Sequence, residues 1–131
     1  MNAAPRILIA DDETHILHIV SLKLCNAGYE VETAEDGEDA LQKIRERMPD
    51  LLITDLQMPF LTGLELCVEL RKDPDLRNLP ALLLTARGAW LEGHELARTN
   101  IRGVMSKPFS PREVLLKVER LLKPEGSEAV A

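Results

Sequence analysis

Short apolar runs alternate with amphipathic segments five times along this chain of 131 residues. Runs such as LLIT and ALLLT are apolar at nearly every position, which is typical of parallel strands whose two faces are both covered by helices. The predicted strands are Arg6–Ala10, Glu30–Ala34, Leu51–Asp55, Ala81–Thr85 and Val104–Ser106. Five strands that each precede a helical pattern predict an α/β fold, a (βα)5 doubly wound parallel sheet with the flavodoxin-like strand order 2-1-3-4-5.

Apolar residues that recur at helical spacing predict a helix after each strand. In the first helical segment these residues are Ile16, Val20 and Leu24. Gly28 follows that segment, where a left-handed helix cap is expected. In the second segment the pattern continues through Leu41 and Ile44 to Met48, and Pro49 then stops the helix.

Three further helical segments complete the pattern, and two of them carry start signals. Thr62 and Glu65 form a capping-box pattern for the third helix, which is predicted to run to about Lys72. The fourth spans about Ala89 to Thr99. The motif SPRE, from Ser110 to Glu113, combines a cap, a proline at the first helical position and a capping glutamate for the fifth helix.

Composition narrows the class of protein without deciding its function. The chain is 45% hydrophobic and 29% charged, as in ordinary soluble globular proteins, and it fits one domain at residues 1–124 with a flexible tail at 125–131. A net charge of −6 argues against direct nucleic-acid binding. We find no signal peptide and no apolar stretch that could be inserted in a membrane, which favours a cytoplasmic protein. Cys25 and Cys67 lack paired spacing and are predicted to be buried, reduced thiols.

Polar side chains follow four of the five predicted strands. Asp11 and Asp12 end the first strand, Asp55 the third, Thr85 the fourth and Lys107 the fifth. In an open α/β sheet, ligands bind beyond the carboxyl ends of the strands, near the point where the strand order reverses. These side chains are therefore expected to converge on one rim.

Such a cluster has specific chemistry. Neighbouring carboxylates repel each other and need a cation or shifted pKa values. Oxygen ligands suit Mg²⁺, with Mn²⁺ as a second possibility. A bound metal would attract a phosphate group. Lys107 could neutralise the charge of that phosphate, and the Thr85 hydroxyl could donate a hydrogen bond to one of its oxygens. A carboxylate that attacks the phosphorus atom would give an acyl phosphate. Each residue alone has a structural alternative, such as a helix cap for Asp11 or Asp12, but the combination favours a site.

Four motifs occur in order at a characteristic spacing: ILIADDE, DLQMPFLTG, LLLTA and SKPFSP. Together they resemble the receiver domain of bacterial two-component response regulators, over about Arg6 to Leu122. No output domain follows the fifth helical segment, so we expect a stand-alone signalling protein similar to chemotaxis regulators. The resemblance implies a phosphorylated switch that catalyses only its own phosphorylation and dephosphorylation.

The resemblance also implies roles for individual residues. Asp55 would accept a phosphoryl group from a sensor histidine kinase or a histidine phosphotransfer protein. Asp12, Asp55 and the main-chain carbonyl of Gln57 would bind Mg²⁺, and Asp11 would bind it through a water molecule. Lys107 would pair with the phosphoryl group, its bond to Pro108 would be cis, and Thr85 would move toward the phosphate.

One departure from the family concerns how the signal is read. The family usually has an aromatic residue three positions before the lysine, and this chain has Val104 there. The usual coupling between threonine and aromatic therefore cannot operate in its common form. Arg87 occupies a position that tunes phosphate lifetime in the family, or is a solvated charge. Trp90 is a candidate contact for a downstream protein on the face of the fourth helix, fifth strand and fifth helix, or packs against the preceding loop.

Two alternative functions use the same residues. The chain could pass its phosphoryl group to another histidine in a phosphorelay. It could also be a phosphatase with an aspartyl-phosphate intermediate, but such enzymes generally carry a second aspartate two residues after the nucleophile. Here that position is Gln57, which disfavours the phosphatase.

Overall fold

The protein is described by a computed structural model that covers residues 4–85 and 99–122. Its five strands form one parallel sheet in the order β2-β1-β3-β4-β5, which confirms the predicted fold. The strands are β1 (Arg6–Ala10), β2 (Glu30–Ala34), β3 (Leu51–Asp55), β4 (Ala81–Thr85) and β5 (Ile101–Ser106). The described helices are α1 (Thr14–Asn26), α2 (Gly37–Glu46), α3 (Gly63–Lys72) and α4 (Pro111–Leu122).

The helix α4 corresponds to the fifth helical segment of the sequence. The fourth predicted segment lies outside the described residues except for its last residue, Thr99, and so do the predicted tail and residues Arg87 and Trp90. Within the described residues, no helix is long and apolar enough to cross a membrane.

Two apolar layers cover the sheet, one on each face. All five residues of β3 and all five of β4 are buried, as their nearly continuous apolar sequence predicts. Side chains from α1 and α4 pack on one face, where the buried helical residues are Leu17, Val20, Leu24, Val114 and Val118. Side chains from α2 and α3 pack on the other, where they are Ala40, Ile44, Leu66, Cys67 and Leu70. The sheet is therefore held rigidly from both sides.

The start signals of the helices are formed as predicted. The side chain of Thr62 accepts a hydrogen bond from the Glu65 amide while the Glu65 side chain accepts one from the Thr62 amide. The same reciprocal pair joins Ser110 and Glu113 before α4. Gly28, just after α1, has a φ of +102°, a left-handed conformation that glycine adopts at little cost.

Two element boundaries differ from the prediction. Strand β5 begins at Ile101 rather than Val104, because Ile101 pairs with Ala81 even though Arg102 and Gly103 interrupt the apolar pattern. Helix α2 ends at Glu46 and does not reach Met48, which is 42% exposed. The proline at position 49 disfavours helical geometry at the residue before it, so the helix ends early.

The prediction that both cysteines are buried is wrong for one of them. Cys67 is completely buried in α3, whereas Cys25 is exposed on α1. The buried stripe of α1 follows Leu17, Val20 and Leu24, and Cys25, one residue beyond Leu24, is turned away from the sheet. Both thiols are free.

Candidate functional site

The carboxyl ends of β1 and β3 lie side by side and place acidic residues at one edge of the sheet. Asp11 directly follows β1, and its amide donates a hydrogen bond to the Ala34 carbonyl at the end of β2. The Asp11 side chain is fully buried, and its Oδ1 accepts a hydrogen bond from the Glu13 amide at 2.9 Å. Asp12 is exposed at the same rim. The pair thus presents one fixed and one accessible carboxylate.

Asp55 is the last residue of β3 and is only 5% exposed. The chain returns close to it at the start of α3, where the Gly63 amide donates to the Leu56 carbonyl at 2.8 Å. A Cβ atom at position 63 would lie 2.2 Å from the Asp55 carbonyl oxygen. Glycine is therefore required there for the loop after β3 to close against the backbone of Asp55.

Asp11, Asp12 and Asp55 each place one carboxylate oxygen within 4.8 Å of the others. Opposite ligands of an octahedral Mg²⁺ lie roughly 4.2 Å apart, because each Mg–O bond is about 2.1 Å long. Adjacent ligands lie closer, roughly 3.0 Å apart, so oxygens that gather within 4.8 Å of one another are near the spacing of a divalent-ion site. The donor set is also all carboxylate, which suits Mg²⁺ or Mn²⁺.

Lys107 follows β5 and brings a positive charge to the same cluster. Its Nζ lies 3.4 Å from Asp11 Oδ2, 3.4 Å from Asp55 Oδ1 and 3.1 Å from Glu13 Oε1. Burial lowers the pKa of the Lys107 ammonium, but the hydrogen bond to Glu13 and the charges of Asp11 and Asp55 outweigh it and hold the pKa above its usual value. Lys107 therefore stays protonated and available to an anion.

The carboxylates themselves are held in an unfavourable environment. Burial, followed by the negative charge of Asp11, raises the pKa of Asp55 to about 6, although Lys107 opposes the change. Burial also raises the pKa of Asp11, against the Glu13 amide and Lys107. One lysine does not compensate three neighbouring carboxylates, so the cluster favours a second cation.

This geometry agrees with what comparison of the chain with known proteins shows. The sequence profile described as "Response regulator receiver domain" matches residues 7–119. The chain belongs to this family. Receiver domains are the signalling modules of two-component response regulators, and their acidic site binds Mg²⁺.

Relatives of this receiver domain include both transcriptional and chemotaxis regulators. The alkaline phosphatase synthesis transcriptional regulatory protein PhoP of Bacillus subtilis is 40% identical over 121 residues, which are 90% of this chain and 48% of PhoP. The phosphate regulon transcriptional regulatory protein PhoB of Rhizobium meliloti is 37% identical over 97% of this chain and 56% of its own length. The chain thus spans about half the length of these curated relatives.

Two solved structures of response regulators match the receiver domain over nearly their whole length. The chemotaxis response regulator CheY4 of Vibrio cholerae is 35% identical, with a TM-score of 0.84 over 91% of this chain and 99% of its own. The response regulator TrrA of Thermotoga maritima, solved in complex with Mg(2+)-BeF, is 36% identical, with a TM-score of 0.78 over 90% of this chain and 99% of its own.

The other residues predicted for the receiver domain have different surroundings. Thr85 is buried at the end of β4, and its carbonyl accepts a hydrogen bond from the Lys107 amide at 2.8 Å. Gln57 is exposed and lines a pocket together with Asp12, Glu13, Asp55 and Lys107. The peptide bond from Lys107 to Pro108 is cis. Val104 is half-buried in β5, where it pairs with Leu83.

Two residues of this rim were not singled out from the sequence. Glu13 contacts Lys107 from a position 94 residues away in the chain, and a contact at that separation leaves no local pattern. Phe60, in the loop after β3, is 78% exposed and has a φ of +70°, which is uncommon for a residue other than glycine. Its sequence signal is weak, because a single aromatic residue in a loop has no periodicity.

Proposed function

We propose that this receiver domain is a phosphorylation-controlled switch in which Asp55 accepts the phosphoryl group. The observation that carries the proposal is the convergence of Asp55 with Asp11, Asp12 and Lys107 at the carboxyl edge of the sheet. Among these carboxylates, Asp55 lies at the end of a central strand and lines the pocket that Asp12 and Lys107 also line. An incoming phosphoryl group would therefore meet Asp55 between a metal-binding carboxylate and a cation.

Mg²⁺ would be held by Asp12, Asp55 and the carbonyl of Gln57, with Asp11 contributing through a water molecule. When bound, the ion neutralises the carboxylates and stabilises negative charge on the transferring phosphoryl oxygens. The full burial of Asp11 and the exposure of Asp12 support these different roles. Mn²⁺ offers the same preference for oxygen ligands.

In the transfer itself, one carboxylate oxygen of Asp55 forms a bond to phosphorus. The bond between phosphorus and the donor's imidazole nitrogen breaks, and the imidazole keeps that electron pair. Lys107 pairs with the phosphoryl oxygens, and the hydroxyl of Thr85 donates a hydrogen bond to one of them. The receiver domain would thus catalyse its own phosphorylation, and hydrolysis of the acyl phosphate would reset it.

The proposed donor is a sensor histidine kinase or a histidine phosphotransfer protein, as expected for this family. The proposed reader is a protein that binds the face of the fourth helical segment, β5 and α4. Val104 in place of an aromatic residue suggests that this readout uses other side chains or backbone shifts. A cytoplasmic location is part of the proposal, and the free thiol of exposed Cys25 is consistent with a reducing compartment.

The test is phosphorylation by a small phosphodonor. Wild-type protein incubated with Mg²⁺ and acetyl phosphate should gain the mass of one phosphoryl group, and Asp55→Asn should gain none. Chelation of the metal should abolish the gain in the wild type. Asp75→Asn, which neutralises an exposed aspartate between α3 and β4, serves as the matched control and should be modified normally. Equal modification of wild type and Asp55→Asn would contradict the proposal.

A further inference from the structure

The side chain of Glu13 reaches from the start of α1 into the acidic site and contacts Lys107. We propose that Glu13 is a positioning residue for Lys107: it holds the ammonium group before phosphorylation and releases it to the phosphoryl group afterwards. This inference rests on the proposed function of Asp55 and adds a residue that sets the rate of phosphorylation.

The distances around Lys107 show that Glu13 competes with the site carboxylates. Among the contacts of Nζ with carboxylate oxygens, the one to Glu13 Oε1 is the shortest, at 3.1 Å against 3.4 Å to Asp11 and to Asp55. A lysine ammonium has three protons to donate. Two of them are donated to Asp11 and Glu13, while Asp55 lies within ion-pair distance of the ammonium. A phosphoryl group on Asp55 would draw the ammonium toward its own oxygens, in competition with those two carboxylates.

Glu13 occupies a helix position whose usual task its side chain does not perform. It is the N-cap residue of α1, yet its side chain makes no capping hydrogen bond. Ser, Thr, Asp and Asn are favoured at that position because their short side chains reach the helix amides. The Glu13 carboxylate instead faces Lys107 with Oε1 and lies 3.6 Å from His15 Nε2 with Oε2. Its backbone is fixed, since its carbonyl accepts from the Ile16 and Leu17 amides.

Exposure decides which of the other two contacts yields to a phosphoryl group on Asp55. The Asp55 contact passes to the phosphoryl group when Asp55 is modified, and the Asp11 side chain is 0% exposed, so it cannot turn away from Lys107. The Glu13 side chain is 46% exposed and can rotate into solvent, where water replaces the lost hydrogen bond. The contact between Glu13 and Lys107 is therefore the one that yields when a phosphoryl group arrives.

Glutamine in place of Glu13 removes the competing charge and keeps the side-chain size. Lys107 is then freer to pair with the phosphoryl group, so Glu13→Gln should be phosphorylated faster by acetyl phosphate. An exposed ion pair has a modest effect, which corresponds to roughly a two- to fivefold rise in rate. Loss of a negative charge near an anionic donor could raise the rate without any contact, and the controls must separate the two causes.

Two comparisons make that separation. Glu35→Gln removes the same charge at the same edge of the sheet, because exposed Glu35 directly follows β2, and it makes no ion pair within the described residues. Lys107→Gln removes the group through which Glu13 is proposed to act. The experiment measures phosphorylation rates by intact mass, with Mg²⁺ and acetyl phosphate, for Glu13→Gln and Glu35→Gln in the presence and absence of Lys107.

The proposal expects a rate increase for Glu13→Gln, none for Glu35→Gln, and no increase from Glu13→Gln once Lys107 is replaced. It is overturned if Glu13→Gln matches wild type, if Glu35→Gln gives the same rise, or if the rise persists without Lys107. A second readout does not depend on phosphorylation. In the metal-free protein, the side-chain ¹⁵N–¹H signal of Lys107 should shift in Glu13→Gln and not in Glu35→Gln. The absence of a shift in Glu13→Gln would also overturn the proposed contact. If either readout contradicts the role of Glu13 while Asp55 is still phosphorylated in the wild type, the proposed function of Asp55 remains intact.

Discussion

Replacing Asp55 with asparagine should stabilise the metal-free protein at neutral pH, although it removes the residue on which the proposed function depends. Asp55 is almost fully buried beside Asp11, and its pKa is raised from the ordinary 3.8 to about 6. Each pKa unit corresponds to about 1.4 kcal/mol, so ionised Asp55 lowers the free energy of unfolding by roughly 3 kcal/mol. Asparagine has nearly the same shape and carries no charge, so it should recover about 2 to 3 kcal/mol of that cost.

The pH dependence fixes the sign of this effect. Below about pH 3 the Asp55 carboxyl is protonated in both the folded and unfolded states, so it does not change the free energy of unfolding. As the pH rises toward about 6, the unfolded state ionises first, and the folded state of the wild type loses stability relative to Asp55→Asn. The advantage of the variant should therefore be near zero below about pH 3 and nearly complete above about pH 7.

Urea denaturation followed by circular dichroism, with a chelator present and at a series of pH values, measures this difference. Asp75→Asn is the control, because neutralising an exposed aspartate should change the free energy of unfolding by less than about 0.5 kcal/mol. A variant Asp55→Asn that is less stable than wild type at pH 7.5, or a difference that does not vary with pH, would refute the reasoning.

Three further predictions concern the metal, the loop after β3 and the thiols. In urea titrations, Mg²⁺ at about 100 times its Kd should raise the free energy of unfolding of the wild type by roughly 2.7 kcal/mol. The variant Asp12→Asn should lose most of that gain. Equal gains in both proteins would contradict the assigned ligands. Gly63→Ala should lower the free energy of unfolding by more than about 2 kcal/mol, because the Cβ atom of alanine would lie 2.2 Å from the Asp55 carbonyl oxygen. A loss below about 0.5 kcal/mol would contradict this packing. Ellman's reagent should modify Cys25 in the folded protein and reach Cys67 only on unfolding, since Cys67 is buried and burial raises the pKa of its thiol to about 12. Equal rates of modification of the two thiols in the folded protein would contradict the burial of Cys67.

The sheet could be predicted from the sequence because burial on both faces leaves a direct pattern. The strands β3 and β4 are apolar up to the polar residues at their carboxyl ends, and their predicted bounds agree with the structure. Strand β5 is at the edge of the sheet, where residues such as Arg102 and Gly103 are tolerated and the apolar pattern is interrupted. Its first three residues were therefore missed. The exposure of Cys25 was missed because the apolar residues of α1 occur on more than one face of the helix.

The candidate site was largely predictable because parallel strands bring their carboxyl ends to one edge. The residues Asp11, Asp12, Asp55 and Lys107 each lie at the end of a strand or just beyond it, so the topology alone places them together. Glu13 could not be found in this way. It lies beyond the strand end, and its contact with Lys107 depends on the direction of a side chain that could instead have pointed into solvent.

The central claim is that Asp55 carries the phosphoryl group, and mapping the modified residue tests it most directly. An acyl phosphate on aspartate can be reduced by borohydride, which converts the residue to homoserine, and peptide mass spectrometry then locates it. After incubation of the wild type with Mg²⁺ and acetyl phosphate, we predict homoserine at position 55 and at no other aspartate. Homoserine at Asp11 or Asp12, or none at position 55 in a protein that has gained a phosphoryl group, would contradict the account.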